Sequence, residues 1–531
     1  MDNFTPETTP TKGPGLLRSS AVVGMMTMFS RVLGLLRDVV IAAFVGADAN
    51  ADAFFVAFKI PNFLRRLFAE GAFAQAFVPV LADYKAAGSL QAIQQLLNRI
   101  AGVLGGTLIL LTCLTVIAAP VVTAVFAPGF VASPAKFQLT TELIRITFPY
   151  LFLISMTGFC GAVLNSYGRF AVPAFTPVFL NLSLIGAALF ASSSFAEPVY
   201  ALAWGVLLAG VVQLLFQLPF LYRLELLPRP VWDTKDEGVR RVLKLMVPAL
   251  FGVSVSQINL LLDTVLASFL PTGSVSWLYY SDRLTELPLG VFGIAIATVI
   301  LPNLSALQAT AREDEFQHTL DWAVRLVLII ALPAAVALLI LAEPILLTLF
   351  QYGELTPADV SMATLSLRAY SLGLLAFMLI KVLAPGYYAR KDMMTPVGIG
   401  IKAMLANMIM NLLFVLPLAY YWNIGHVGLA LATSLAAYLN AGLLLKGLLR
   451  KGVFRFQPGW LIYSSRLLVA TLAMAAVIYL LCEEPGQWLS WDWQQRAGEM
   501  AKLCVSGGAV YVLVHLVTGT RLRHLRNLKS H

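Results

Sequence analysis

The sequence predicts an all-α polytopic membrane protein with about 14 transmembrane helices, two parallel six-helix lobes and two further C-terminal helices. Three observations predict it: composition, the sidedness of loop charge, and an internal repeat. Of 531 residues, 59% are hydrophobic and only 12% are charged, and the mean hydropathy is +0.80. A soluble chain carries about 25% charged residues. The four cysteines lie in apolar stretches without C-x-x-C spacing and the five histidines are scattered. Neither a disulfide framework nor a metal centre is therefore expected.

Residues 1–19 are polar, rich in Thr and Pro, and lack the apolar core and cleavage site of a signal peptide, which predicts a cytoplasmic tail. A span needs about 20 mostly apolar residues. Such segments fall near 20–45, 53–84, 99–127, 143–167, 171–193 and 198–222, the expected N-lobe of residues 20–222. A basic linker, 223–241, leads to spans near 242–269, 276–308, 320–349, 360–388, 395–420 and 424–447, the expected C-lobe of 242–447. A loop, 448–463, precedes the last two spans within 464–518, and a basic tail, 519–531, ends the chain. The second and eighth segments are long enough to tilt or break.

If the N-terminus is cytoplasmic, one alternating set of loops and tails holds 23 Lys and Arg residues, and the opposite set holds only Lys136, Arg496 and Lys502. That bias places both ends in the cytoplasm and requires an even number of spans. The net charge of +9 is then topological, and no nucleic-acid partner is implied. The outer loops are short ("GADANAD", "SSSFAE", "LPTGSV"), leaving no room for an external catalytic domain. This favours a transporter over an enzyme.

The chain also resembles itself. Asp38 pairs with Asp263, Pro79 with Pro302, Arg169 with Arg390 and Pro177 with Pro396, at shifts drifting from 225 to 219 residues. Six spans separate the copies, so both run the same way through the membrane, related by an axis along its normal. Two such lobes enclose a central cavity that can alternate its opening by rocking.

The first span, "FSRVLGLLRDVVIAAFVG", carries Arg31, Arg37 and Asp38. The second adds Asp52, Lys59, Asn62, Arg65, Arg66 and Glu70, and the eighth has Ser276, Asp282, Arg283 and Glu286. Leaving Arg31, Arg37, Arg65 and Arg283 in hydrocarbon costs on the order of 10–14 kcal/mol, more than typical net stability, so a wet cavity or fixed partners must offset it. Fixed partners would be Arg37 with Asp52, Arg66 with Glu70 and Arg283 with Glu286. A wet cavity ringed by planar guanidinium forks would suit a large anionic headgroup. In the second lobe Asp263, with Asn407 and Asn411, is either a cation site or a hydrogen-bonded helix contact.

The stretches "MTMFSRVLGLLRD", "ADAFFVAFKIPNFLRRLFAEGAFAQAFVPVLADY", "GSVSWLYYSDRLTELPLGVFGIAIATVILPNLS", "LFQYGELT" and "KVLAPGYYARKDMMTPV" resemble the MurJ (MviN) family of bacterial lipid II flippases. The resemblance implies the fold of the multidrug/oligosaccharidyl-lipid/polysaccharide exporter superfamily and a place in the bacterial inner membrane. It implies movement of undecaprenyl-diphospho-MurNAc-pentapeptide-GlcNAc from the inner to the outer leaflet, for peptidoglycan synthesis. Residues 464–518 would form a groove for the lipid tail. Arg31, Arg37, Arg65 and Arg283 would hold the substrate, with Asp38, Asp52, Asn62, Ser276 and Glu286 as accompanying cavity or gating positions. No cofactor is implied; sodium, protons or the membrane potential are the candidate driving forces. Membrane lipids and proteins of cell-wall synthesis and division are the candidate partners. The competing readings are a cation-coupled multidrug exporter, whose cavity should favour carboxylates over arginines, a membrane enzyme acting on polyprenyl phosphates, and a scaffold.

Overall fold

A computed structural model describes residues 14–66 and 73–519. The first part of the N-terminal tail, Glu70 with its expected pairing to Arg66, and the basic tail from residue 520 lie outside the described residues. Eleven helical segments among the described residues are long and apolar enough to cross a membrane. The three other expected spans are α1 (Pro14–Val45), α2 (Ala49–Arg65) with α3 (Ala74–Ala86), and α11 (Glu237–Ala267). These carry Arg31, Arg37, Asp38, Asp52, Arg65 and Asp263.

Local chemistry sets the breaks. Asp48 caps α2, its carboxylate accepting from the N–H groups of Asn50 at 2.8 Å and Ala51 at 2.9 Å. The long eighth segment is broken: α12 (Ser274–Pro288) passes through a π-turn at Leu289–Gly293 into α13 (Ile294–Ala309). Proline removes a ladder donor and the two glycines of the π-turn resist nothing, so the helix reopens there. α15 (Pro357–Tyr388) starts in a capping box between Thr356 and Asp359.

The linker after α10 (Pro198–Arg223) lies along α4 (Leu90–Ile117). Val231 donates to the Asn98 carbonyl at 2.9 Å, the Arg229 N–H donates to Asn98 Oδ1 at 2.6 Å, and Arg99 pairs with Asp236. Gly102 permits this approach, because a Cβ there would collide with the Val231 backbone. The first turns of α11 stay with this group. Val239 and Val242 are buried in one apolar cluster with Phe77, Leu96, Phe159 and Leu164. The far end of α11 instead meets α16 (Met394–Trp422).

The two halves of the chain are tied at the cation-poor end of the bundle. Tyr280 Oη donates to the Gly46 carbonyl at 2.7 Å, the Glu354 N–H to the Ala43 carbonyl at 3.0 Å, and the Gly129 N–H to Ser268 Oγ at 3.0 Å. A larger apolar core runs through α2, α12, α14 (Glu313–Leu349), α15 and α17 (Gly425–Arg450).

The last two long helices, α18 (Trp460–Leu481) and α20 (Trp493–Val517), pack on each other and on α14. Tyr511 Oη donates to the Ile329 carbonyl at 2.7 Å, and Trp460 Nε1 to Asp321 at 2.7 Å. Arg496, 5% exposed, gives its N–H groups to the carbonyls of Trp488, Trp491, Leu347, Gln351 and Leu489 at 2.8–3.4 Å. This cation of the cation-poor face thus fastens α20 to the end of α14.

Candidate functional site

The charges of α1 and α12 meet on one carboxylate. Asp38, 1% exposed, accepts from Arg37 Nε at 2.9 Å, Arg37 Nη2 at 2.6 Å and Tyr279 Oη at 2.8 Å. Arg283 Nε stands 3.3 Å from its other oxygen. Arg37 comes from the first half of the chain and Arg283 from the second, so Asp38 joins the halves about two turns before the end of α1 at Val45. Arg283 also donates to Glu286 at 3.0 Å and to Tyr279 Oη at 3.5 Å, and lies over the Tyr279 ring. Phe55 stacks on the other side of that ring, with centroids 4.0 Å apart. Arg37 is 5% exposed, while the Arg283 side chain keeps 30% of its surface open and Glu286 keeps 41%.

The expected pairing of Arg37 with Asp52 does not form. Asp52 sits at the start of α2, near the cation-poor end, whereas Arg37 lies deeper in the bundle. Asp52, 1% exposed, instead accepts from Lys136 Nζ at 2.8 Å, Gly273 N at 2.8 Å, Ser276 N at 3.0 Å and Ser276 Oγ at 2.7 Å. Asp52 and Ser276 therefore close the seam between the halves and do not line the arginine cluster. The expected Arg283–Glu286 pair does form.

Arg31, half-buried, leans on the π-turn of the eighth segment. Its guanidinium occupies the space that a Cβ on Gly290 would take. Arg65 is half-buried in the last turn of α2, beside the undescribed residues. Asn62 donates to its own helix, at the Phe58 carbonyl, 2.9 Å away. The structure thus brings Arg37, Asp38, Arg283 and Glu286 together, seats Arg31 nearby, and leaves Asn62 turned to its own backbone.

In the second half Asp263 accepts from Asn411 Nδ2 at 2.9 Å and lies 3.4 Å from Thr433 Oγ1, while Asn407 donates to Asn259 Oδ1 at 2.7 Å. Asn407 and Asn411 are each 1% exposed, and the Oδ1 atom of each has no hydrogen-bond donor. A carboxylate of α11 and two buried amide oxygens of α16 that accept no hydrogen bond are oxygen donors of the kind a small cation takes.

Two contributors escaped the sequence reading. Tyr279 is one helical turn from Arg283, a spacing that signals a shared face. Asn181 in α9 (Pro177–Gly186) accepts from Arg37 Nη1 at 3.1 Å. Its signal is a lone amide within the apolar stretch "VFLNLSLIG".

Known proteins share the sequence pattern and the fold of this chain. Residues 41–491 match the family described as lipid II flippase MurJ. A probable lipid II flippase MurJ of Vibrio cholerae serotype O1 is 50% identical over 518 residues, covering 96% of this chain and 98% of that protein. A solved lipid II flippase MurJ in an inward closed conformation is 26% identical, covers 94% of this chain and 98% of its own, and superposes with a TM-score of 0.78. An inward-facing multidrug resistance MATE family transporter of the MOP superfamily shares the fold, with a TM-score of 0.65 at 16% identity over 82% of this chain and 98% of its own. A match over most of the length, at half identity, leaves one assignment: the chain belongs to the lipid II flippase MurJ family.

Proposed function

We propose that this chain moves lipid II from the inner to the outer leaflet of the bacterial cytoplasmic membrane by alternating access, without covalent chemistry. The observation that carries the reading is the convergence of Arg37 and Arg283, one from each half, on a single buried anion within the bundle. A diphosphate is the cargo group that can take the place of that anion, because its oxygens match the guanidinium forks bidentately. Arg31 and Arg65 add positive charge around the path of the sugar–peptide head. An exporter of cationic drugs would need the opposite sign.

Two lobes, residues 20–222 and 242–447, would rock about the seam at Asp52 and Ser276, with 223–241 as their linker. With the basic face in the cytoplasm, the ties at Gly46, Asp52 and Glu354 would close the outer side and leave the protein ready to load from within. The lipid tail would stay in the membrane against residues 464–518. Asp263, Asn407 and Asn411 would hold sodium. The cation, bound in one conformation and released in the other, would bias the cycle.

The test is rescue of a cell depleted of its own flippase, with lipid II measured in each leaflet. Wild type restores lipid II to the outer leaflet. Arg283→Ala, present in the membrane at wild-type level, should not. Outer-leaflet lipid II at the wild-type amount in that variant would overturn the reading.

A further inference from the structure

We propose that Asn181 is a positioning residue for headgroup binding, setting the angle at which Arg37 offers its fork. This rests on the reading of Arg37 and Arg283 as the diphosphate grip. Asn181 is 5% exposed and works at both ends: Oδ1 accepts from Arg37 Nη1 at 3.1 Å, and Nδ2 donates to the Ser30 carbonyl at 3.0 Å. A guanidinium only donates and a carbonyl only accepts, so the amide has one satisfactory orientation, and flipping it breaks both bonds. Gly34 of α1 faces the amide, and a Cβ there would rest in ordinary contact with it at 3.8 Å.

With Nη1 held by Asn181, the Nε and Nη2 edge of Arg37 points at one oxygen of Asp38, 2.9 and 2.6 Å away. That edge is the one a phosphate oxygen would take, and Asp38 fills it when no cargo is bound. Nη2 is also held by Tyr279 Oη at 3.2 Å. Once cargo displaces Asp38, the amide is therefore the contact that fixes the other end of the fork, and without it the guanidinium can tilt about that single bond. The second half uses the same device with the sign reversed. There Asn411 turns its N–H to the anionic Asp263. In both halves a buried amide of the neighbouring helix presents whichever end matches the charge opposite.

The experiment uses the full chain in lipid nanodiscs, with undecaprenyl diphosphate and undecaprenyl monophosphate as probes. Asn181→Leu should weaken diphosphate binding about tenfold, the equivalent of about 1.4 kcal/mol. Monophosphate binding should fall less, so the ratio between the two lipids drops, a change that mere loss of packing would not cause. Asn181→Asp keeps the acceptor and adds a second anion beside the guanidinium. It should weaken binding of both lipids, with a loss that salt changes little because the pair is buried. Arg37→Ala is the control. Unchanged diphosphate affinity in both Asn181 variants, with binding lost in Arg37→Ala, would overturn the role of Asn181 alone. Wild-type binding in Arg37→Ala would overturn the grip itself and the proposal with it.

Discussion

Opening of the cation-poor end should depend on three hydrogen bonds in a quantitative way. Asp52 accepts from Gly273 N, Ser276 N and Ser276 Oγ across the seam, at 2.8, 3.0 and 2.7 Å. Its bond to Lys136 joins α2 to α6 (Pro134–Thr147) within the first half and does not cross the seam. Hydrogen bonds to a charged group are worth about 1.5 kcal/mol or more each after exchange with water. Ser276→Ala removes one and should raise the open-to-closed ratio about tenfold. Removing all three is worth about 4.5 kcal/mol, or about three orders of magnitude. Asp52→Leu alone would leave Lys136 buried without an anion, so it is paired with Lys136→Met. Spin labels at Ser133 and Thr272, both exposed beside the seam, report the separation in a background without the native cysteines. A short separation in wild type should become a mixture in Ser276→Ala and mainly long in the double variant. A distribution that stays short in the double variant refutes the reasoning.

Arg37→Lys keeps the charge but loses the fork, and should bind undecaprenyl diphosphate at least about tenfold more weakly, measured by titration in nanodiscs. Arg496→Leu strands the carbonyls of Leu347 and Gln351 and should lower stability by about 3 kcal/mol, seen as a lower melting temperature and faster proteolysis between α18 and α20. At the basic face the ammonium of Lys451, with Thr395, holds the Asp392 carboxyl at about 2, below the usual carboxylate range. Because the folded value is depressed, the pair stabilises above the ordinary carboxylate range and fades as pH falls towards 2. Asp392→Asn should therefore lower the melting temperature at pH 7, with the difference from wild type shrinking below about pH 4.

Most of the architecture was legible because the bilayer limits what a chain can do. Span length, the count of loop cations and the drifting repeat are one-dimensional signals. The eighth segment announced a break by its length, and the structure places it at Pro288 and the glycines after it. The partners of the buried charges were less legible. Arg37 and Asp38 are sequence neighbours, which on an ideal helix face different ways, yet the long arginine side chain curls back to reach the carboxylate. Lys136 counted only as an outer-loop cation, and its burial against Asp52 depends on how α6 meets α2. Asn181 was invisible for a related reason: an amide inside an apolar helix announces that it has a partner, not which one.

α11 is anchored twice. Its first turns are built into the apolar cluster of α3 and α4, while Asp263, near its last turn, is hydrogen-bonded to α16. A beam clamped to two bodies that swing relative to one another must bend between the clamps. Pro248 lies in that stretch and has no N–H to give to the preceding turn, which makes it the cheapest place to flex. If the two lobes rock as proposed, their relative angle is taken up in the curvature of this single helix, and a change that stiffens it would oppose the motion.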